Sequence, residues 1–182
     1  MYLSCMVSLT TQTNALPATV WLIAYIACST DSLQEVLEHI EGCVIKDEST
    51  RESTSFDTQK LLANPILNSA LSETLRLQFS GFSVRGVSND TTLTVNSRPF
   101  ELKKGSTVFI SATCVHKDPE IYEKPHEFRL KRFVEMHTKI EGDNYTDKPQ
   151  TTFTKHGMPI RHPLIPWGGG HFMVFSSIFK MF

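Results

Sequence analysis

The chain has 182 residues, 40% hydrophobic and 20% charged, which is the usual size and composition of one folded globular domain. Eighteen basic residues nearly balance nineteen acidic ones, so no large field of one sign is present to recruit nucleic acid or an anionic membrane. The cysteines, Cys5, Cys28, Cys43 and Cys114, lie too far apart for a zinc or redox dithiol motif and are expected to be reduced, buried thiols.

Apolar residues run from Trp21 to Ile26 and then recur at helical spacing as far as Ile40, which predicts helices over residues 8 to 39. Ser29 and the two residues after it predict a break and a new N-cap. The apolar stretch 15–28 is shorter than the roughly 20 residues that span a bilayer, so we expect a buried core helix. The first residues lack the basic region of a secretory signal, and Met1 is expected to lie within a longer protein.

The next segments alternate between loop, helix and strand signals. Residues 46–56 are polar and predict a solvated loop, whereas Asn64-Pro65 predicts a capped helix with apolar residues at helical spacing. A small meander of strands should follow, at Gly81–Val87, Thr91–Val95, Pro99–Leu102 and Ser106–Ile110. Residues 118–162 are rich in proline and charge and predict irregular coil with short helices.

Glu73 and Arg76 lie three residues apart in the predicted helix and therefore share a face. On a surface such a pair contributes only a few tenths of a kcal/mol. The apolar faces around the pair and the downstream Arg132-Phe133 indicate instead a buried carboxylate held between two guanidinium groups.

These residues carry a resemblance to a known family. The helix around Glu73 and Arg76 resembles the Glu-x-x-Arg helix of the cytochrome P450 family, and residues 125–133 resemble its Pro-x-x-Phe-x-x-x-Arg-Phe segment. The turn from His116 to Tyr122 resembles the family's His-x-Asp-Pro turn. The resemblance implies that Glu73, Arg76 and Arg132 are structural, and that the strand residue Arg85 contacts a haem propionate. An exposed strand arginine is the alternative interpretation of Arg85.

The glycine-rich stretch near the end resembles the family's haem loop in its fungal-type form. Residues implied to border the haem are Trp167, Gly168, Gly170, His171 and Phe172. The resemblance places the iron-ligating cysteine at position 174, where this chain has Val174, whose side chain has no lone pair. Residues 174–182 form an atypical tail; translated intron is one explanation, which sequencing of the transcript would test.

Residues 11–21 resemble the distal helix of the sterol 7α/12α-hydroxylase and prostacyclin synthase branch of the family. Asn14 and Ala15 stand where most members have an acid and an alcohol that relay protons to bound oxygen, and neither donates a proton usefully at neutral pH. Both hydroxylase and isomerase chemistry are therefore compatible with this segment.

The expected fold is mainly α with a small antiparallel sheet, the C-terminal half of the cytochrome P450 fold over residues 1–182, with the resemblance covering about 10–173. For the intact protein the resemblance implies haem, an NADPH-dependent reductase, a sterol-like or other apolar substrate, and the cytoplasmic face of the endoplasmic reticulum membrane. No membrane anchor and no nucleic-acid partner are expected for this chain. Because of Val174 we expect at most weak haem binding and no activity. The alternative is a non-enzymatic remnant or interaction module without haem.

Overall fold

A computed structural model describes residues 15–45, 55–95, 97–134, 153–160 and 162–166 of the chain. The helices in these residues are α1 (Leu16–Ala27), α2 (Thr30–Glu41), α3 (Thr58–Ala63), α4 (Pro65–Gln78) and α5 (Ala112–His116). The strands are β1 (Val44–Ile45), β2 (Ser55–Phe56), β3 (Phe82–Gly86), β4 (Thr91–Val95), β5 (Arg98–Leu102), β6 (Thr107–Ser111), β7 (Thr154–Lys155) and β8 (Met158–Pro159). They pair as four antiparallel ladders, β1 with β2, β3 with β6, β4 with β5 and β7 with β8.

The predicted break between the first two helices is confirmed. Ser29 has an extended backbone and its hydroxyl accepts a hydrogen bond from the Ser32 amide, which caps α2. Within the residues that the structure covers, no single helix is long and apolar enough to cross a membrane, whereas α1 and α2, bent by 114° at their break, meet the length and composition criteria as a pair.

The prediction that the first apolar helix is buried is wrong for the described part of the chain. Ile26 is buried, but Trp21 is 47% exposed and Ile23 is 62% exposed. The helix contacts α2 and α4, and its Tyr25 stacks on Phe128. Hydropathy shows that a helix is apolar all round, but it does not show which neighbours cover each face.

Helix α4 forms the centre of the described structure. The Asn64 side-chain oxygen accepts from the amides of Ile66 and Leu67, and Pro65 lies in the first turn, where its missing donor costs nothing. One core cluster joins this helix to its neighbours and consists of Ile26, Val36, Ile66, Ala70 and Leu130. The predicted capped helix is thus confirmed, and it presents Glu73 and Arg76 from within a buried element.

The predicted meander is wrong in its connectivity, although the strand positions agree with the prediction within about one residue at most ends. β3 pairs with β6, and β4–β5 forms a separate hairpin between them. The Val87 amide donates to the Ser106 carbonyl, and the Gly105 amide donates to the Val87 carbonyl, which extends the β3–β6 ladder. The β4–β5 hairpin therefore lies within the connection between two paired strands. Gly105 has φ 83°, which permits the tight turn there.

Two further expectations need correction. The 118–162 region contains the β7–β8 hairpin, whose turn residues His156 and Gly157 both have positive φ, 52° and 76°. Of the three described cysteines, Cys43 is buried as expected, but Cys28 and Cys114 are exposed free thiols. Cys28 ends an only partly covered helix, and Cys114 lies on a one-turn helix whose outer side faces solvent.

Candidate functional site

The carboxylate of Glu73 is completely buried and is held by the guanidinium group of Arg76. Arg76 Nε donates to Glu73 Oε2 at 2.8 Å, and Arg76 Nη2 donates to Oε1 at 2.8 Å. This two-pronged arrangement follows from the i,i+3 spacing on α4, which brings both side chains to one face of the helix. Each oxygen of the carboxylate therefore has a charged donor.

Arg132 approaches the same carboxylate from the other side. Its Nε donates to Glu73 Oε1 at 2.9 Å, and the backbone amide of Arg129 donates to the same oxygen at 3.1 Å. The two amino groups of Arg132 donate to the carbonyl oxygens of Glu123 at 2.8 Å, Lys124 at 3.3 Å and Glu127 at 3.2 Å. The structure thus brings Glu73, Arg76 and Arg132 together, and it links them to the 123–129 turn.

Arg76 also reaches the turn that begins at His116. Its Nη1 donates to the carbonyl oxygens of His116 and Pro125, each at 2.6 Å. The guanidinium carbon lies 4.8 Å from the centre of the Tyr122 ring, within cation–π range. Burial raises the pKa of Tyr122, so its hydroxyl stays protonated, and it donates to the Pro163 carbonyl at 2.7 Å.

His116 is completely buried and neutral. Burial, followed by the positive charges of Arg76 and Lys117, lowers the pKa of His116 from 6.5 to about 4. Its Nε2 accepts from the Ile165 amide at 3.0 Å, which assigns the ring proton to Nδ1. Within the part of the chain that the structure describes, Nδ1 has no hydrogen-bond partner.

Ser69 of α4 binds the backbone on both sides of Arg132. The buried hydroxyl of Ser69 donates to the Leu130 carbonyl at 2.6 Å and accepts from the Phe133 amide at 2.9 Å. Phe133 packs with Tyr122 and Phe153 in a second core cluster. The segment that carries Arg132 is therefore fixed by backbone hydrogen bonds as well as by the ion pair.

Of the remaining predicted site residues, the structure describes only Arg85 and Ala15. Arg85 lies exposed on β3, and one of its amino groups donates to the neighbouring Val84 carbonyl at 3.0 Å. Ala15 precedes α1, and its carbonyl accepts from the Thr19 hydroxyl. Predicted site residues outside the described ranges are Asn14, Trp167, Gly168, Gly170, His171, Phe172 and Val174. Their roles, and that of Arg85 towards a propionate, stay predictions.

The sequence patterns predicted no role for His116, Tyr122 or Ser69, although all three are completely buried. The available signal for the first two was the His-x-Asp-Pro-x-x-Tyr turn itself. Ser69 carries no such pattern, because a serine inside an apolar helix is compatible with many environments.

A family model described as "Cytochrome P450" matches residues 11–148, which is more than half of the chain. The chain belongs to the cytochrome P450 family. The buried Glu73–Arg76–Arg132 network lies inside the matched region. The mainly helical described structure with small antiparallel sheets confirms the expectation of a partial cytochrome P450 fold.

The chain is similar to the 25-hydroxycholesterol 7-alpha-hydroxylase of Rattus norvegicus. The two sequences are 30% identical over 163 residues, an alignment that covers 86% of this chain and 36% of the relative. Prostacyclin synthase of Homo sapiens is 30% identical over 164 residues, covering 88% of this chain and 31% of the relative. The chain therefore spans only about a third of the length of these relatives.

Two solved structures share the fold. A zebra fish cytochrome P450 determined with progesterone superposes with a TM-score of 0.56 at 18% identity, covering 90% of this chain and 31% of that one. A retinoic acid-bound cyanobacterial CYP120A1 has a TM-score of 0.58 at 22% identity, covering 90% of this chain and 32% of that one. At these identities the likeness describes the fold alone.

Membership of the family implies a haem cofactor, and its iron needs a thiolate ligand. Among the residues that the structure describes, the donor set does not fit that requirement. Among the described cysteines, Cys28 and Cys114 are exposed on helices, and Cys43 donates its thiol to the His39 carbonyl. At position 174, where the resemblance places the ligand, stands a valine. The described residues also contain no cluster of three side chains suited to a metal ion.

Proposed function

We propose that the intact protein to which this chain corresponds is a haem-dependent monooxygenase acting on a sterol-like or other apolar substrate. We further propose that the chain with Val174 has no such activity. The observation that carries the first part is the buried Glu73 carboxylate held by Arg76 and Arg132 inside the region that matches the family. The second part depends on chemistry, because a valine side chain cannot donate an electron pair to iron.

The substrate class is supported by the names of the relatives. The matching relatives include a 25-hydroxycholesterol 7-alpha-hydroxylase and a cholesterol 7-alpha-monooxygenase. Both are named for apolar, ring-containing molecules. A reaction of the prostacyclin synthase kind is equally compatible with Ala15, which has no proton to donate at the distal position.

The role proposed for the described residues is structural. Glu73, Arg76 and Arg132 fix the 116–134 stretch against α4, so that the chain leading to the glycine loop starts from a rigid base. Arg85 would hold a propionate by its charge. For the whole protein we include an NADPH-dependent reductase as electron donor and a location on the cytoplasmic face of the endoplasmic reticulum membrane, on the strength of the family and of the 7-alpha-hydroxylase relatives.

The test is a haem titration of the purified 182-residue chain, monitored by absorbance. The native chain should give no thiolate-type band when reduced and bound to carbon monoxide, whereas Val174→Cys should gain one. Met173→Cys is the matched control, because it introduces a thiol one residue away from the implied ligand position and should give no band. A thiolate band from the native chain would overturn the proposed inactivity. Absence of any Soret change in both native chain and Val174→Cys would favour an interaction module without haem.

A further inference from the structure

We propose that His116 and Tyr122 are positioning residues that hold residues 163–165, and thereby set the direction of the described chain just before the glycine-rich stretch of the sequence. The hold on 163–165 rests on contacts in the described structure. Only the identity of that stretch as a haem loop rests on the proposed function.

The first contact is made by the imidazole of His116. Its Nε2 accepts a hydrogen bond from the Ile165 amide at 3.0 Å. The His116 backbone is itself fixed, since its carbonyl accepts from Arg76 Nη1 at 2.6 Å. The ring is confined from the side by Phe79, whose ring meets it edge-on with centroids 6.1 Å apart. An acceptor held in this way can orient the backbone that donates to it.

The second contact is made by the phenol of Tyr122. Its hydroxyl donates to the Pro163 carbonyl at 2.7 Å, and a proline can take part in backbone hydrogen bonding only through that carbonyl. The Tyr122 ring is completely buried between Phe153, at 5.0 Å, and the guanidinium of Arg76, at 4.8 Å. The hydroxyl therefore has little freedom to move away from Pro163.

The two contacts fix a carbonyl and an amide two residues apart, which determines both the position and the direction of this short stretch. Gly168 follows Ile165 by only three residues in the sequence. Arg76 contacts both residues, His116 through its backbone carbonyl and Tyr122 through its ring, and Arg76 itself binds Glu73. The network thus has a continuous physical connection from α4 to residues 163–165, in addition to its role in the core.

The test is amide hydrogen exchange, measured by NMR on the full 182-residue chain without haem. His116→Gln places an amide oxygen near the former Nε2 and should preserve protection of the Ile165 amide. His116→Asn is too short to reach that amide, and protection should fall on the order of tenfold, as expected for the loss of one hydrogen bond. Amides of α4 report global stability and should keep their protection.

Tyr122→Phe is the second variant, because it removes only the hydroxyl and retains the ring in the core. It should also lower protection of the Ile165 amide while α4 keeps its protection. The proposal is overturned if Ile165 is unprotected in the native chain, if Asn and Gln at position 116 behave alike, or if protection falls only in parallel with α4. Because no haem is used, failure here is distinct from failure of the haem titration.

Discussion

Glu73→Gln is the most informative perturbation of the buried network, since it removes the negative charge and keeps the side-chain volume. The carboxylate of Glu73 accepts four hydrogen bonds, two from Arg76, one from Arg132 Nε and one from the Arg129 amide. Glutamine has one acceptor oxygen, and its amino group would face the donors of a guanidinium. With its oxygen at the Oε1 position, glutamine keeps three of the bonds to an uncharged acceptor and loses the one at Oε2, which is worth about 1.5–3 kcal/mol.

Since the other three bonds also lose the charge of their acceptor, we expect a total near the cost of about 3–5 kcal/mol for removing one partner of a buried ion pair. For a chain of this size the expected fall in the melting temperature is on the order of 10 °C. The assay is thermal unfolding followed by circular dichroism. Glu101→Gln is the control, because the Glu101 side chain is 78% exposed and its pairing with Lys103 should contribute little.

Arg132→Lys provides a milder change at the same site. A lysine keeps the charge but has no planar fork, so it cannot bind Glu73 and the 123–127 carbonyls at once, and we expect a loss of about 1–3 kcal/mol. The expectation for Glu73→Gln would be refuted if its unfolding free energy lay within about 1 kcal/mol of the native value. Two buried guanidinium groups that have lost their carboxylate should destabilise the fold by more than that.

Three further predictions concern single contacts. Ser69→Ala leaves the Leu130 carbonyl and the Phe133 amide without their buried partner, and denaturant unfolding should show a loss of about 1–3 kcal/mol. Asn64→Ala removes the cap of α4 and should cost about 1 kcal/mol in the same assay, whereas Asn64→Ser should restore most of it. The pKa of His116 is about 4 in the folded state and 6.5 ordinarily, so the unfolded state takes up the proton at a higher pH than the folded state does. The unfolding free energy should therefore fall as the pH drops from about 6.5 to about 4. His116→Gln should flatten that part of the stability–pH curve; an unchanged slope would mean that other groups cause it.

The sequence was informative where a residue's local pattern reflects its tertiary environment. The Asn64-Pro65 start of α4 and the Glu73–Arg76 spacing are local signals, and both agree with the structure. The sequence could not show that β3 pairs with β6, because strand pairing depends on contacts between residues about 25 positions apart. Nor could it show that Trp21 is exposed, since hydropathy does not reveal which neighbours cover a helix.

The irregular backbone between His116 and Glu127 has a physical reason in the charge of the core. Two guanidinium groups meet a single carboxylate, which leaves one positive charge without a counterion among the side chains that bind them. Backbone carbonyl oxygens compensate for it. Arg76 donates to those of residues 116 and 125, and Arg132 donates to those of residues 123, 124 and 127.

Carbonyl groups can converge on a buried cation only if they are not used in a helix or a sheet ladder. The turn residue Lys124 adopts φ 49°, a left-handed conformation that is unfavourable for a lysine, and its carbonyl accepts from Arg132. The predicted coil thus accords with the ion network, because it supplies the carbonyl acceptors for Arg76 Nη1 and for the two amino groups of Arg132. Burial, assisted by the positive charges of Arg76 and Lys117, lowers the pKa of His116, and a neutral ring is what allows Nε2 to accept from the Ile165 amide.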